Sequence, residues 1–354
     1  MKKIKKIIVS VLCVVLCLSM CINASAAGLT VVDWVNKADD SNANNGKGVN
    51  YNSVMEGMCL NLANNVVYSA KINGNKNCMI IKTTLDDKGI GKKSIVMTSG
   101  GKTYVNYLGH ANDMTFVNIN DSKYLYVATG RGMKKVDVDY DIVKLKITGN
   151  TFERVASYKT NYKYMENGNN VSVKQGITGL AFVKKDGDDL IFLAKKGTAV
   201  YTLRISSNAG NGTVTMTDKC FLDKSAYTQY GSPQNIAYYK GKILVTYSNE
   251  TSGKSNILLT YNYPCKENDE NTYSNAITKA KEKLKNIKDK NKKTIKVPKI
   301  QPVKNEVIKK SDTDLYEIEA IDVGKDGNYY FALNVRIINE KNEKVDRDRI
   351  VVRK

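Results

Sequence analysis

His110 is the only histidine in the chain. It stands in Gly109-His-Ala-Asn-Asp, where four polar or conformationally special residues share five positions. An imidazole titrates near neutral pH, so His110 can serve as an acid, a base or a hydrogen-bonding ligand. Carboxylates occur at Glu56, Asp113, Glu317 and Glu319. Two facing carboxylates, such as Glu56 and Glu319, could be the acid and base of a glycosidase, whose separation sets the stereochemical outcome. Asn112, Gln175, Thr178, Gln234 and Asn235 add neutral hydrogen-bonding groups. Metal chemistry has little to build on, because a single histidine and no CxxC pair supply no zinc site. Asp137, Asp139 and Asp141 alternate along an expected strand and would share one face. That face could bind calcium, but its alternation with Val138, Tyr140 and Ile142 reads better as a solvated strand. Gly89-Ile-Gly-Lys-Lys-Ser lacks the spacing of a phosphate loop, and no GxSxG nucleophile pattern occurs. No cofactor is expected.

The elements that must position these residues are read from a repeat. Five segments share a polar residue and a short alternating run: Glu56-Gly-Met-Cys-Leu, Asn112-Asp-Met-Thr-Phe, Thr178-Gly-Leu-Ala-Phe, Gln234-Asn-Ile-Ala-Tyr and Glu319-Ala-Ile-Asp-Val. They align on Met58, Met114, Leu180, Ile236 and Ile321, at spacings of 56, 66, 56 and 85 residues. A turn signal follows each: Asn64-Asn65, Asn120-Asp121, Asp186-Gly187, Lys240-Gly241 and Asp326-Gly327. After each turn comes a bulky run such as Leu190-Ile-Phe-Leu-Ala, apolar on both faces as a strand buried between two neighbours would be. Third strands are expected at Cys78–Leu85, Asp139–Ile147, Val200–Ile205, Asn256–Tyr263 and Arg349–Arg353. Fourth strands are expected at Ser94–Thr98, Phe152–Tyr158 and Val214–Phe221.

A four-stranded unit repeated five times predicts an all-β fold, a five-bladed β-propeller; a β-sandwich or a pair of small β-domains is the competing architecture. The last repeat ends after three strands. The stretch Leu29-Thr-Val-Val-Asp-Trp-Val would supply its missing outer strand and close the ring, leaving no long free edge. In a propeller the first strand of each blade lines the axis. The polar residues that open the repeats would then converge on one face. They either bind a ligand there or satisfy channel water and backbone.

The ends and the charge bound where the chain works. Lys2, Lys3, Lys5 and Lys6, the apolar run Ile7–Cys21 and Ala24-Ser25-Ala26 predict a secretory signal over residues 1–26. Residues 27–354 would then be a single exported propeller domain with no membrane span. Cys21 offers a lipid-anchor alternative, weakened by Met20 before it. Losing the four lysines takes the formal charge from +20 to +16. A basic exported protein meets anionic polymers. Much of that charge lies in a Lys-rich insertion over residues 266–302, where Ile277, Ala280, Leu284 and Ile287 recur at helical spacing and predict a helix over Ser274–Asn291. Four cysteines remain after the signal, Cys59, Cys78, Cys220 and Cys265, which are either disulfide-bonded or buried thiols. The 22 tyrosines fall mostly at strand positions, where packing accounts for them.

Gly109-His-Ala-Asn-Asp-Met-Thr-Phe, Glu56-Gly-Met-Cys and Gln175-Gly-Ile-Thr resemble phrases of secreted propeller proteins of Gram-positive bacteria. More remotely they are similar to helveticin-type bacteriocin proteins and phage receptor-binding propellers. The resemblance spans roughly residues 50–265 and 312–354. It implies recognition of cell-surface glycopolymers through a ring of Glu56, Gly57, His110, Asn112, Gln175, Gly176 and Glu319. Glu56 departs from the glutamine such phrases often carry, and the lysine insertion is a second departure. Residues and resemblance together predict a secreted or wall-associated protein binding glycans or anionic wall polymers. Glu56, His110, Asn112, Asp113, Gln175, Gln234 and Glu319 are its candidate ligand residues. The alternative is a glycan-cleaving enzyme. The expected partner is a surface polysaccharide or teichoic-acid-like polymer, with no specific nucleic acid; the oligomeric state is open.

Overall fold

A computed structural model of the chain describes residues 29–33, 54–73, 77–166, 169–249, 251, 253–263, 299–310, 314–325, 327–338, 342, 344–346 and 348–353. The signal segment, most of the Lys-rich insertion with its expected helix, and Cys265 lie outside these residues.

The described chain is all-β. Strand β1 (Thr30–Asp33) precedes a first meander of β2 (Val54–Asn61), β3 (Val66–Asn73), β4 (Asn77–Leu85) and β5 (Gly91–Val96). The second meander is β6 (Asp113–Ile119), β7 (Ser122–Ala128), β8 (Ile142–Thr148) and β9 (Thr151–Glu166), with β10 (Asn169–Lys174) folded back on β9. The third is β11 (Gly179–Asp186), β12 (Asp189–Lys196), β13 (Ala199–Ser206) and β14 (Gly212–Phe221). The fourth is β15 (Ser232–Tyr239), β16 (Lys242–Ser248), β17 (Asn256–Asn262) and β18 (Pro302–Ile308). The last comprises β19 (Asp314–Val323), β20 (Tyr329–Ile338), β21 (Lys344–Asp346) and β22 (Arg349–Arg353). Strand β1 pairs antiparallel with β22, Thr30 opposite Val352, and so fills the outer place of the last meander.

The first strands touch in order: β2 packs on β6, β6 on β11, β11 on β15, β15 on β19, and β19 on β2. The core follows the same circuit. One apolar cluster joins Tyr68 and Ile80 to Leu125 and Leu145, and the next joins Tyr126 and Tyr158 to Phe192 and Leu203. A third joins Leu193 and Val200 to Val245 and Tyr261, and a fourth joins Leu244 and Leu258 to Phe331 and Val351. The last returns to the start, packing Ala320, Tyr330 and Ile350 against Met55, Val67, Met79 and Val32 of β1. Second strands are therefore covered on both faces. The six residues from Leu190 to Lys195 are all buried. Burial of one large apolar side chain contributes about 1.5–3 kcal/mol, so these shared faces dominate the cohesion between meanders.

Several boundaries differ from the sequence reading. Residues 129–141 form a loop, and the third strand expected at Asp139 begins at Ile142. The expected fourth strand Ser94–Thr98 is Gly91–Val96. The strand expected over Phe152–Tyr158 runs on to Glu166. Its second half makes a hairpin with β10 and pairs in parallel with β14, Tyr158 opposite Gly212, so two meanders merge into one nine-stranded sheet. Asn120 and Asp121 both take positive φ, as do Lys240 and Gly241, as a two-residue hairpin turn requires. The first hairpin uses the wider turn 62–65, and the third turns at Gly187-Asp188. Cys59 and Cys78 are buried free thiols, and Cys220 is buried.

Candidate functional site

The strands that touch around the axis carry their polar residues at one end, and backbone irregularities aim them. The β2 register skips between Met55 and Met58, that of β15 between Pro233 and Ile236, and that of β19 between Ile318 and Ala320. The skipped residues are Glu56-Gly57, Gln234-Asn235 and Glu319. A bulge leaves such residues out of the ladder and redirects their side chains. Gly57 is required by close approach: its N–H donates to Ala111 O at 3.1 Å, and an added Cβ would stand 2.8 Å from that oxygen.

Asp113 is the hub of this end. Its Oδ1 accepts from Met114 N at 2.8 Å, and its Oδ2 accepts from Leu180 N at 2.9 Å and Ile236 N at 3.4 Å. These donors are three of the repeat anchors, on β6, β11 and β15. Desolvation holds the Asp113 carboxyl well above the usual carboxylate range, against the pull of these N–H groups and of Lys195. Through these bonds Asp113, a candidate ligand residue, holds three strands together. Lys195, fully buried on β12, faces this carboxylate, and burial pulls its ammonium down to about 8. Its side chain lies over Gly179, where an added Cβ would meet Lys195 Cε at 3.0 Å.

A second group spans the last, first and second meanders. His110 Nδ1 lies 3.1 Å from Glu56 Oε2, close but not aligned as a hydrogen bond. Burial drives the Glu56 carboxyl up, with His110 opposing. Burial would lower the His110 imidazole, but contacts with Glu56 and Asn112 outweigh it and the net direction is up. Lys71 Nζ forms an ion pair with Asp348 Oδ2 at 2.9 Å, both buried, and the Asp348 charge is felt at Glu56.

The remaining expected residues are placed as follows. Asn112 is half-buried beside His110, and its Oδ1 has no hydrogen-bond partner among the described residues. The Gln175 amide turns back to donate to Gly176 O at 3.1 Å. Thr178 N donates to Lys195 O at 2.7 Å. Gln234 Nε2 donates to Glu317 Oε1, linking the fourth and last meanders. Glu319 is buried in the β19 bulge. Two layers result. A half-buried rim holds His110, Asn112, Gln175, Thr178, Gln234 and Glu317. A buried layer holds Glu56, Lys71, Asp113, Lys195, Asn235, Thr246 and Asp348. Lys195 Nζ, both amide atoms of Asn235 and Thr246 Oγ1 have no hydrogen-bond partner among the described residues.

Lys71, Lys195, Thr246 and Asp348 were not singled out in the sequence. The available signal was a lysine inside an apolar run, Val66–Asn73 for Lys71 and Asp189–Lys196 for Lys195. The aspartate series did not form a shared face. Asp139 is exposed and paired with Lys159 at 2.5 Å, whereas buried Asp141 takes Arg131 through two 2.8 Å bonds and Thr160 N at 2.7 Å. Among the described residues no group of three or more His, Cys, Asp or Glu side chains could hold a metal ion. No helix among them is long and apolar enough to cross a membrane.

No protein-family profile matches the chain, and no curated protein sequence matches it. Solved structures similar to it include an exo-1,5-α-L-arabinanase from a bovine ruminal metagenomic library, at 10% identity over 84% of this chain and 92% of that one, with a TM-score of 0.41. An α-L-arabinofuranosidase from Clostridium thermocellum is 11% identical over 79% of this chain and 93% of its own, with a TM-score of 0.29. An ulvan lyase is 9% identical over 92% and 74% of the two chains, with a TM-score of 0.28. At this similarity none transfers a residue role or an activity.

Proposed function

We propose that the chain is an exported five-bladed β-propeller that binds glycans or anionic wall polymers at the rim of its axis. In this reading residues 1–26 are the secretory signal, residues 27–354 form one propeller domain, and residues 266–302 are a Lys-rich insertion in blade four. The cyclic contacts of the five first strands and the outer strand supplied by β1 support the blade count. The insertion falls between β17 and β18, which pair with each other, so it leaves the blade intact.

The observation that carries the binding function is the layered polar end. Half-buried amides, a hydroxyl and an imidazole gather at the ends of the first strands, and His110 stands 3.1 Å from the buried Glu56 carboxylate. Such a rim offers donors and acceptors to a polyhydroxylated ligand, and its directional groups are already held in place. Hydrolysis by two carboxylates has less support. Glu56 is buried against His110, Glu319 is buried in its bulge, and both Asp113 oxygens accept from backbone N–H groups.

The test is binding of residues 27–354 to purified wall and capsular polymers at low and high salt. His110→Ala with Asn112→Ala should weaken binding at least tenfold at both salt concentrations. Deletion of residues 270–300 should weaken only the low-salt binding, because point charges on lysines are screened. Binding unchanged in the rim variant would overturn the reading. The raised Glu56 carboxyl is the observation that favours the cleaving alternative. Release of new reducing ends, abolished by Glu56→Gln, would establish it.

A further inference from the structure

Away from the axis, an open cavity of about 610 Å³ lies on the seam between the second and third meanders. Its walls include Tyr140, Arg154, Ser157 and Lys159 on one side and Asn211 and Thr213 on the other. The seam is pinned, since Ser157 N donates to Asn211 Oδ1 at 2.8 Å. Below that pin β9 and β14 begin their parallel pairing.

Arg154 is the distinctive residue. Its guanidinium carbon lies 4.8 Å from the Tyr107 ring centroid and 5.8 Å from that of Tyr140, and Nη1 donates to the Tyr140 hydroxyl at 3.0 Å. The Tyr107 hydroxyl is itself tied to Ser99 Oγ at 3.0 Å. Two rings thus fix the plane of an exposed guanidinium. It forms no ion pair with a carboxylate among the described residues, although nearby Lys159 does, with Asp139. An arginine with its fork immobilised and its remaining N–H donors unclaimed is prepared for a planar oxyanion.

We propose that this seam is a second binding site, for an oxyanion-bearing saccharide or polyol. The oxyanion is a carboxylate or phosphate that meets Arg154, and the hydroxyls meet Asn211, Thr213 and Ser157. The volume lies in the range of small-ligand sites. A peptide strand pairing with the free edge of β9 is a poor fit, because β9 bulges at Val155 between Arg154 and Ala156. Arg154 and Lys159 outweigh Asp139, so the wall carries a net positive charge. The site does not depend on the axis binding anything.

The experiment is calorimetric titration of residues 27–354 with three probes: a trigalacturonate, a glycerol-phosphate oligomer and a neutral galacto-oligosaccharide. One or both charged probes should bind and the neutral one should not. Which charged probe binds tells a uronate from a polyol phosphate. Arg154→Ala should weaken that binding at least tenfold with an unchanged melting temperature. Arg154→Lys should fail to restore it, because the fork is lost. His110→Ala should leave it intact. No binding by either charged probe, equal binding of the neutral probe, undiminished binding by Arg154→Ala, or loss in His110→Ala would each overturn the proposal.

Discussion

Asp113 shows how one side chain can hold several strands. It supplies acceptors to anchor N–H groups on three of them and a counter-charge to Lys195. Asp113→Ala would leave these donors and a buried ammonium without a partner. Losing one partner of a buried charged network costs about 3–5 kcal/mol. Chemical denaturation should report a loss of that order. A loss below about 1 kcal/mol would mean that water replaces the carboxylate and that the hub is dispensable. Asp113 was legible in the sequence as a polar residue beside His110. Its task was not, because the partners Leu180 and Ile236 come from other repeats. Lys195 was hidden for another reason. A lysine at the end of Leu190-Ile-Phe-Leu-Ala ordinarily carries its head to water, and only the ring turns that end of β12 inward. Glu56 and His110 were read as separate candidates and prove to be one pair.

Among the elements, β1 seals the outer edge of the last meander. It covers the edge of β22, and Val32 enters the cluster shared by the last and first meanders. A variant beginning at residue 34 should lose this pairing while keeping every other strand. It should melt at lower temperature and aggregate earlier, because the bared β22 edge is a template for pairing. Equal melting and aggregation onset would show that β1 does not secure the ring. The need for this strand was readable from arithmetic: the final repeat stopped after three strands and an apolar stretch lay unused near the start. The extension of β9 was less readable. Asn167-Gly168 between alternating residues is a hairpin signal in the sequence. The parallel pairing of β9 with β14 has no local signal, since its partners are about fifty residues apart. The Arg154 seam therefore lay outside any motif, although Tyr107, Tyr140 and Arg154 are all plain in the sequence.

For the molecule as a whole, the join between the last and first meanders runs through one carboxyl group. Asp322 on β19 accepts from Leu60 N of β2 at 2.8 Å through Oδ2 and from Val323 N at 2.8 Å through Oδ1. It thus ties the last meander to the first. Burial pushes its carboxyl up to about 6 from an ordinary 3.8, with the two N–H groups opposing. A folded-state pKa above the unfolded one means that the folded form holds its proton longer. Stability is then fully present below about pH 3.8 and falls as pH rises through about 6. A shift of this size corresponds to roughly 3 kcal/mol between the two limits. Asp322→Asn keeps a neutral side chain of the same shape at every pH. The melting difference between the two proteins should therefore change with pH, the wild type losing ground to the variant from pH 4 to pH 7. Taking the difference cancels the groups that titrate in both, His110, Glu56 and the exposed acids included. A pH-independent difference would mean that Asp322 is ionised throughout, with its two N–H donors outweighing its burial. The ring would then be joined by a fixed charge rather than by a titrating one.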